Sequence, residues 1–79
     1  MSPESRQRFA ALREQCKARL AAWDVAHPGG DDIARWYAHK YEERSYWLDQ
    51  LRDAKASGAP SDLIKRIESA AEMAAYVGD

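Results

Sequence analysis

The chain has 79 residues, a formal net charge of −1 and one cysteine. This length allows one domain with a modest core, the single cysteine excludes an intrachain disulfide, and the near-neutral charge gives no overall electrostatic argument for nucleic-acid binding. The first residues contain no apolar signal-peptide segment, and no apolar run is long enough to span a membrane. We therefore expect a soluble cytoplasmic protein that folds as a single helical domain over residues 1–79.

Proline and glycine divide the chain into three segments. They occur in four places: Pro3, residues 28–30, the pair Gly58 and Pro60, and Gly78. These residue types mark the ends of helices, so the sequence predicts helices over about 3–26, 31–56 and 61–77. Connections this short favour antiparallel neighbours. The predicted fold is all-α, either an up-down-up bundle or a long helical hairpin with a shorter third helix laid on it.

The first predicted helix begins with Ser2 as its N-cap and Pro3 at its first position. It carries one narrow apolar stripe, formed by Phe9, Leu12, Cys16, Leu20 and Trp23. The spacing is close to a heptad repeat, as in a coiled coil. A narrow stripe on a long helix with a small core is also typical of a homodimer, so the sequence leaves monomer and homodimer open.

The second predicted helix carries most of the aromatic residues. On a helical wheel its apolar side chains fall within an arc of roughly 140°, and they are Ile33, Trp36, Tyr37, Tyr41, Trp47, Leu48 and Leu51. An arc this wide predicts contact with two neighbouring helices. Lys40 and Arg44 lie near its middle, where a cation is costly unless it is paired or its stem extends to solvent. Either Arg44 bonds a carboxylate or a helix C-terminus inside the bundle, or part of this face is open and receives an acidic partner.

The third predicted helix opens at Pro60, with Ser61 as its cap and Asp62 in its first turn. Its apolar positions are Leu63, Ile64, Ile67, Ala70, Ala71, Ala74 and Val77. The alanines of this set would let the helix approach bulky side chains of the second helix closely. We expect it to complete the core.

No pattern in the chain indicates catalysis, a metal site or a cofactor site. His27 and His39 lack the spacing of metal ligands. Cys16 lies on the apolar stripe of the first helix, where a buried thiol packs as a small hydrophobic side chain. We therefore predict that the protein is not an enzyme and binds no cofactor.

The candidate partner-binding residues lie on the second helix. Tyr46 falls outside the apolar arc, on the same side as Arg35 and His39, and the sequence predicts that it is exposed. Tyrosine and arginine are common at binding hot spots, so Tyr46, Arg35, His39, Arg44 and Lys40 form the predicted site. The function this predicts is a small non-catalytic interaction module that docks on a larger protein, as an adaptor, a chaperone or an inhibitor of the phage or mobile-element type.

A basic stripe on the first helix supports an alternative function. Arg6, Arg13 and Lys17 recur at spacings that place them on one side of that helix. Such a stripe could contact phosphates. The alternative prediction is an accessory protein that associates with nucleic acid through these three residues.

Overall fold

The computed structural model describes residues 1–75, which form three α-helices. Helix α1 spans Pro3–Ala26, helix α2 spans Asp32–Ser57 and helix α3 spans Ser61–Ala75. Helices α1 and α2 form a long antiparallel hairpin on which the shorter α3 packs, and the molecule measures 41 × 26 × 20 Å. The predicted all-α fold with three helices is confirmed. The predicted end of the third helix, including Val77, lies outside the described residues.

The helix ends follow the capping chemistry of the sequence. The Ser2 hydroxyl accepts a hydrogen bond from the Ser5 amide at 3.2 Å, and the Asp31 carboxylate accepts one from the Ile33 amide at 2.9 Å. Each bond satisfies one of the amides that a helix leaves unpaired in its first turn. Helix α2 ends at Gly58, whose φ of 71° lies in the left-handed region that favours glycine.

The core forms where α3 covers the hairpin. Its buried apolar residues are Phe9, Cys16, Tyr46, Trp47, Ala54, Leu63, Ile67, Ala71 and Ala74. The rings of Phe9 and Trp47 stack with centroids 5.2 Å apart, and the Arg66 guanidinium lies 4.3 Å from the Phe9 centroid. The contact between α2 and α3 is the most extensive of the three helix pairs. Of the predicted apolar stripe of α1, Phe9, Leu12 and Cys16 face the core, whereas Leu20 and Trp23 are half-buried outside it. The predicted apolar side of α3 faces the core over its described residues.

Asp62 joins the beginning of α1 to the beginning of α3. Its carboxylate accepts hydrogen bonds from the Ser5 hydroxyl at 2.8 Å, the Ser2 amide at 3.0 Å and the Leu63 amide at 2.8 Å. The Ser2 amide bond and then the Ser5 hydroxyl bond are the main reasons that the pKa of Asp62 falls from 3.8 to about 2. Ser61, the predicted cap, is instead the first helical residue.

The predicted orientation of α2 is wrong over most of its length. Tyr46, predicted to be exposed, is buried with 7% of its surface accessible. Five residues of the predicted core arc are exposed instead: Ile33 at 68%, Trp36 at 43%, Tyr37 at 55%, Tyr41 at 70% and Leu48 at 45%. Of that arc, Trp47 is buried and Leu51 is partly buried against the core.

The reason is that α2 meets α1 largely through polar side chains. The Tyr46 hydroxyl donates a hydrogen bond to the Leu12 carbonyl at 2.6 Å, and Arg19 Nε donates one to Glu42 at 2.8 Å. A helical wheel that ranks positions by hydrophobicity does not register such an interface. The side of α2 that turns toward α1 is therefore not its most apolar side.

Candidate functional site

One exposed side of α2 carries aromatic, aliphatic and cationic side chains together. We define the α2 face as Ile33, Trp36, Tyr37, Lys40, Tyr41, Arg44 and Leu48. Their spacings of three and four residues keep them on one side of the helix, over a length of roughly 22 Å at 1.5 Å per residue. The α2 face is therefore a continuous strip along the outside of the hairpin.

The aromatic part of the α2 face is arranged by its own contacts. The rings of Trp36 and Tyr37 meet edge to face, with centroids 5.1 Å apart. Lys40 Nζ lies 5.9 Å from the Trp36 centroid and 3.9 Å from a carboxylate oxygen of Glu43. With Tyr41, these rings leave roughly 250–420 Å² of surface accessible, taking each side chain as about 150–250 Å². A patch of this size is comparable to the largest apolar patch of a typical monomeric protein, which is often functional.

Arg44 lies at the edge of a shallow groove between α2 and α3. The groove has a volume of about 200 Å³ and is lined by Arg44, Leu48, Leu51, Glu68, Ala71 and Glu72. Arg44 is exposed, and within residues 1–75 its guanidinium makes neither a hydrogen bond nor an ion pair. The interpretation that Arg44 bonds a carboxylate inside the bundle is therefore wrong. The open face that the sequence offered as the other interpretation agrees with this geometry.

The five predicted partner-binding residues do not form one surface. Lys40 and Arg44 belong to the α2 face, whereas the Tyr46 ring lies in the core. Arg35 forms two hydrogen bonds to the Asp24 carboxylate, at 2.9 and 2.8 Å, and His39 Nε2 lies 2.7 Å from the same carboxylate. The bond from Arg35 is the main cause that lowers the pKa of Asp24. Arg35 and His39 therefore hold α2 against α1.

Aromatic contacts close the loop end of the hairpin beside this ion pair. The Trp23 ring stacks on His27 with centroids 4.2 Å apart and meets the edge of His39 at 5.6 Å. His27 Nδ1 lies 2.9 Å from the Trp23 carbonyl oxygen. Both histidines therefore have structural neighbours that account for their positions.

The basic stripe of the alternative prediction remains on the outside of α1. Arg6, Arg13 and Lys17 are all exposed. Lys17 pairs with Glu14 at 3.3 Å, and Arg6 donates a hydrogen bond to the Met1 carbonyl at 3.3 Å. The stripe is accessible, but no exposed aromatic side chain of the described residues accompanies it on α1.

Residues 1–75 contain no cluster of three or more potential metal ligands among histidine, cysteine, aspartate and glutamate. Burial, reinforced by the charge of Glu43, raises the pKa of the Cys16 thiol, which opposes formation of a nucleophilic thiolate. None of the three helices combines the length and apolar character needed to cross a bilayer.

The sequence predicted the apolar members of the α2 face as core residues, and only its second interpretation, an open face, placed part of them at the surface. The signal for that interpretation is the pair of cations, Lys40 and Arg44, in the middle of the apolar arc. A core helix rarely places two cations toward its neighbours. An interaction face commonly combines aromatic rings with arginine.

Comparison with protein-family models, with curated proteins and with solved structures finds no match for this chain. The functional interpretation therefore depends on the geometry of the α2 face.

Proposed function

We propose that this protein is a small non-catalytic interaction module that docks on a larger protein through the α2 face, in the reducing environment of the cytoplasm. The observation that carries the proposal is the exposure of Trp36, Tyr37 and Tyr41 beside Lys40 and Arg44. Tryptophan, tyrosine and arginine dominate the binding energy of protein interfaces. Burying these rings in the core would have stabilised the fold, so their exposure favours a role in binding.

The charges of the α2 face favour an acidic partner. Arg44 keeps its donors available, and a carboxylate that approaches it can form two parallel hydrogen bonds. Lys40 lies beside Trp36, and both cations are flanked by apolar surface that would be desolvated on binding. The best complement is an amphipathic segment with apolar side chains for the tyrosines and carboxylates for the two cations. An adaptor, a chaperone and an inhibitor would all use the face in this way.

The proposal is tested by capture from a nuclease-treated lysate of the source cells with matched baits. The face variant is Lys40→Glu/Arg44→Glu, and the control Arg52→Glu/Lys55→Glu makes the same charge change outside the α2 face. We expect a protein that the wild type and the control retain and the face variant loses. The purified partner should then bind the face variant at least about tenfold more weakly than wild type, as for loss of a hot-spot side chain.

Two outcomes would contradict the proposal. Partners that bind wild type and face variant equally would place the interface elsewhere on the molecule. Capture that disappears on nuclease treatment and with Arg6→Glu/Arg13→Glu would favour the nucleic-acid alternative, since phosphate contacts through Arg6, Arg13 and Lys17 also predict a steep loss of binding with salt.

A further inference from the structure

We propose that a second copy of this chain covers the α2 face when no larger partner is bound, with the two α2 helices packed antiparallel across a twofold axis. The inference rests on the proposed function, because it concerns the same face, and it adds a form of regulation: self-association competes with the partner. The sequence suggested a homodimer through the apolar stripe of α1, but Phe9 and Cys16 of that stripe are buried in the core. The α2 face is the extended apolar surface that remains exposed.

Charge is the first argument for a second copy. A twofold interface places the same patch on both sides, so a surface of one sign would repel its own copy. The region around the α2 face carries both signs: Lys40 and Arg44 on α2, and Glu68 and Glu72 on α3 at the groove beside Leu48. Each copy therefore presents cations and carboxylates at one surface, as a self-complementary interface requires.

The order of side chains along α2 is the second argument. An antiparallel alignment centred between Lys40 and Tyr41 places Ile33 of one copy opposite Leu48 of the other. The same alignment places Tyr37 opposite Arg44 and Lys40 opposite Tyr41. Ile33 and Leu48 then meet as apolar side chains, Trp36 lies opposite Ser45, and each cation meets an aromatic ring, which is a favourable contact when water is excluded. In a parallel alignment Lys40 and Arg44 would each meet their own copies.

The size of the face is the third argument. Its three aromatic residues alone expose roughly 250–420 Å². Ile33 and Leu48 add apolar area, and the stems of Lys40 and Arg44 add more. A specific interface buries about 800 Å² on each partner, so a second copy must cover the whole strip and the adjoining groove to form a stable dimer.

The first experiment measures mass by sedimentation equilibrium on the full chain from low micromolar to high micromolar concentration. We expect wild type to approach twice the 9.0 kDa of one chain. Ile33→Glu, which places a carboxylate opposite Leu48, should remain at the mass of one chain, with the circular dichroism spectrum of wild type and the melting temperature that wild type has at the lowest concentration. Ala18→Glu, which introduces the same carboxylate at an exposed position of α1, should dimerise like wild type.

The second experiment tests the alignment with single cysteine variants, Ile33→Cys and Leu48→Cys. Under mild oxidation, a mixture of the two should form covalent dimers at least tenfold faster than either variant alone, because residues 33 and 48 meet across the axis while each is far from its own copy. The parent chain, whose Cys16 is buried, should form none. Faster linkage of Ile33→Cys with itself would contradict the antiparallel pairing.

The failures of the two proposals are distinguishable. A wild type that is monomeric at all concentrations overturns the dimer but leaves the proposed function, which is judged by capture of a partner that depends on Lys40 and Arg44. A dimer that Ile33→Glu does not weaken overturns the proposed location. If both proposals hold, adding the purified partner should shift wild type from the dimer to a complex containing one chain of each protein.

Discussion

Tyr46 illustrates how one hydroxyl can determine which side of a helix faces inward. Its ring packs against Trp47 in the core, with centroids 5.1 Å apart, while its hydroxyl reaches the Leu12 carbonyl on α1 at 2.6 Å and Gln15 at 3.3 Å. Burial is the main cause that raises the pKa of this hydroxyl, so it remains a hydrogen-bond donor. A phenylalanine at this position could fill the same space but could not make the bond to α1.

We predict a graded loss of stability at Tyr46. Tyr46→Phe should lower the free energy of unfolding by about 1 kcal/mol, because it removes one hydrogen bond. Tyr46→Ala should lower it by about 3–5 kcal/mol, as for other large aromatic residues removed from a core. Tyr41→Ala, an exposed control on the same helix, should stay within about 0.5 kcal/mol of wild type. Denaturant unfolding followed by circular dichroism measures all three, and equal effects at Tyr46 and Tyr41 would show that Tyr46 is not a core residue.

Asp62 should make stability depend on acidity. The pKa of its carboxyl is about 2 in the folded chain against an ordinary value of 3.8. Because the folded-state pKa is the lower one, the stabilisation is present above about pH 4 and is lost as the pH falls toward 2. Wild type should therefore melt above Asp62→Asn at pH 5, and the difference should shrink steadily between pH 4 and pH 2. Asp53→Asn, an exposed site on α2, controls for the loss of one negative charge, and a difference independent of pH would contradict the role of Asp62.

At the scale of elements, the sequence predicts the helices better than their orientation. Capping residues and Pro/Gly positions depend on local backbone geometry, so Ser2, Asp31 and Gly58 place the helix ends without knowledge of the tertiary structure. The apolar side of α3 and the first half of the apolar stripe of α1 follow from hydrophobicity because they face the core. Helix α2 contacts α1 through a polar side and exposes an aromatic side to solvent. Hydrophobicity alone assigns the aromatic side to the core. The sequence does not predict the pairing of Asp24 with Arg35 and His39, because this contact depends on how the hairpin closes.

The two ends of α2 should differ in local stability. Its buried residues Tyr46, Trp47 and Ala54 lie in the second half, whereas the first half meets α1 through polar contacts, namely those of Arg35 and His39 with Asp24 and that of Glu42 with Arg19. Segments with few buried apolar contacts open at lower free energy than the core. Amide hydrogen exchange should therefore be faster at residues 35–41 than at residues 47–54. Asp24→Asn should accelerate exchange in the first segment and leave the second unchanged, whereas a uniform acceleration would indicate one cooperative unit.

At the scale of the whole molecule, the core and the α2 face are separate surfaces of the hairpin. Helix α3 covers one region of α1 and α2, and there Leu63 and Ile67 are almost fully buried. The α2 face lies on a different side of α2, so its side chains can change without emptying the core. A chain with so small a core has little stability to spare, which makes burial of the α2 face by another molecule a natural source of additional stability.

Association through the α2 face should stabilise the folded chain. A partner that binds the folded but not the unfolded chain raises the melting temperature in a concentration-dependent way. If a second copy covers the α2 face, the melting temperature of wild type should rise by several degrees between about 1 and 500 µM, given that about 1 kcal/mol shifts a domain of this size by about 4–8 °C. Ile33→Glu should melt at one temperature over the whole range, because its α2 face can no longer pair. Ala18→Glu should follow wild type, since it introduces the same carboxylate on α1, away from the α2 face. Circular dichroism measures the melting at the low concentrations and differential scanning calorimetry at the high ones.

A wild-type melting temperature independent of concentration would show that the free chain leaves the α2 face uncovered. The exposed rings of Trp36, Tyr37 and Tyr41 would then be available at every concentration for the larger partner.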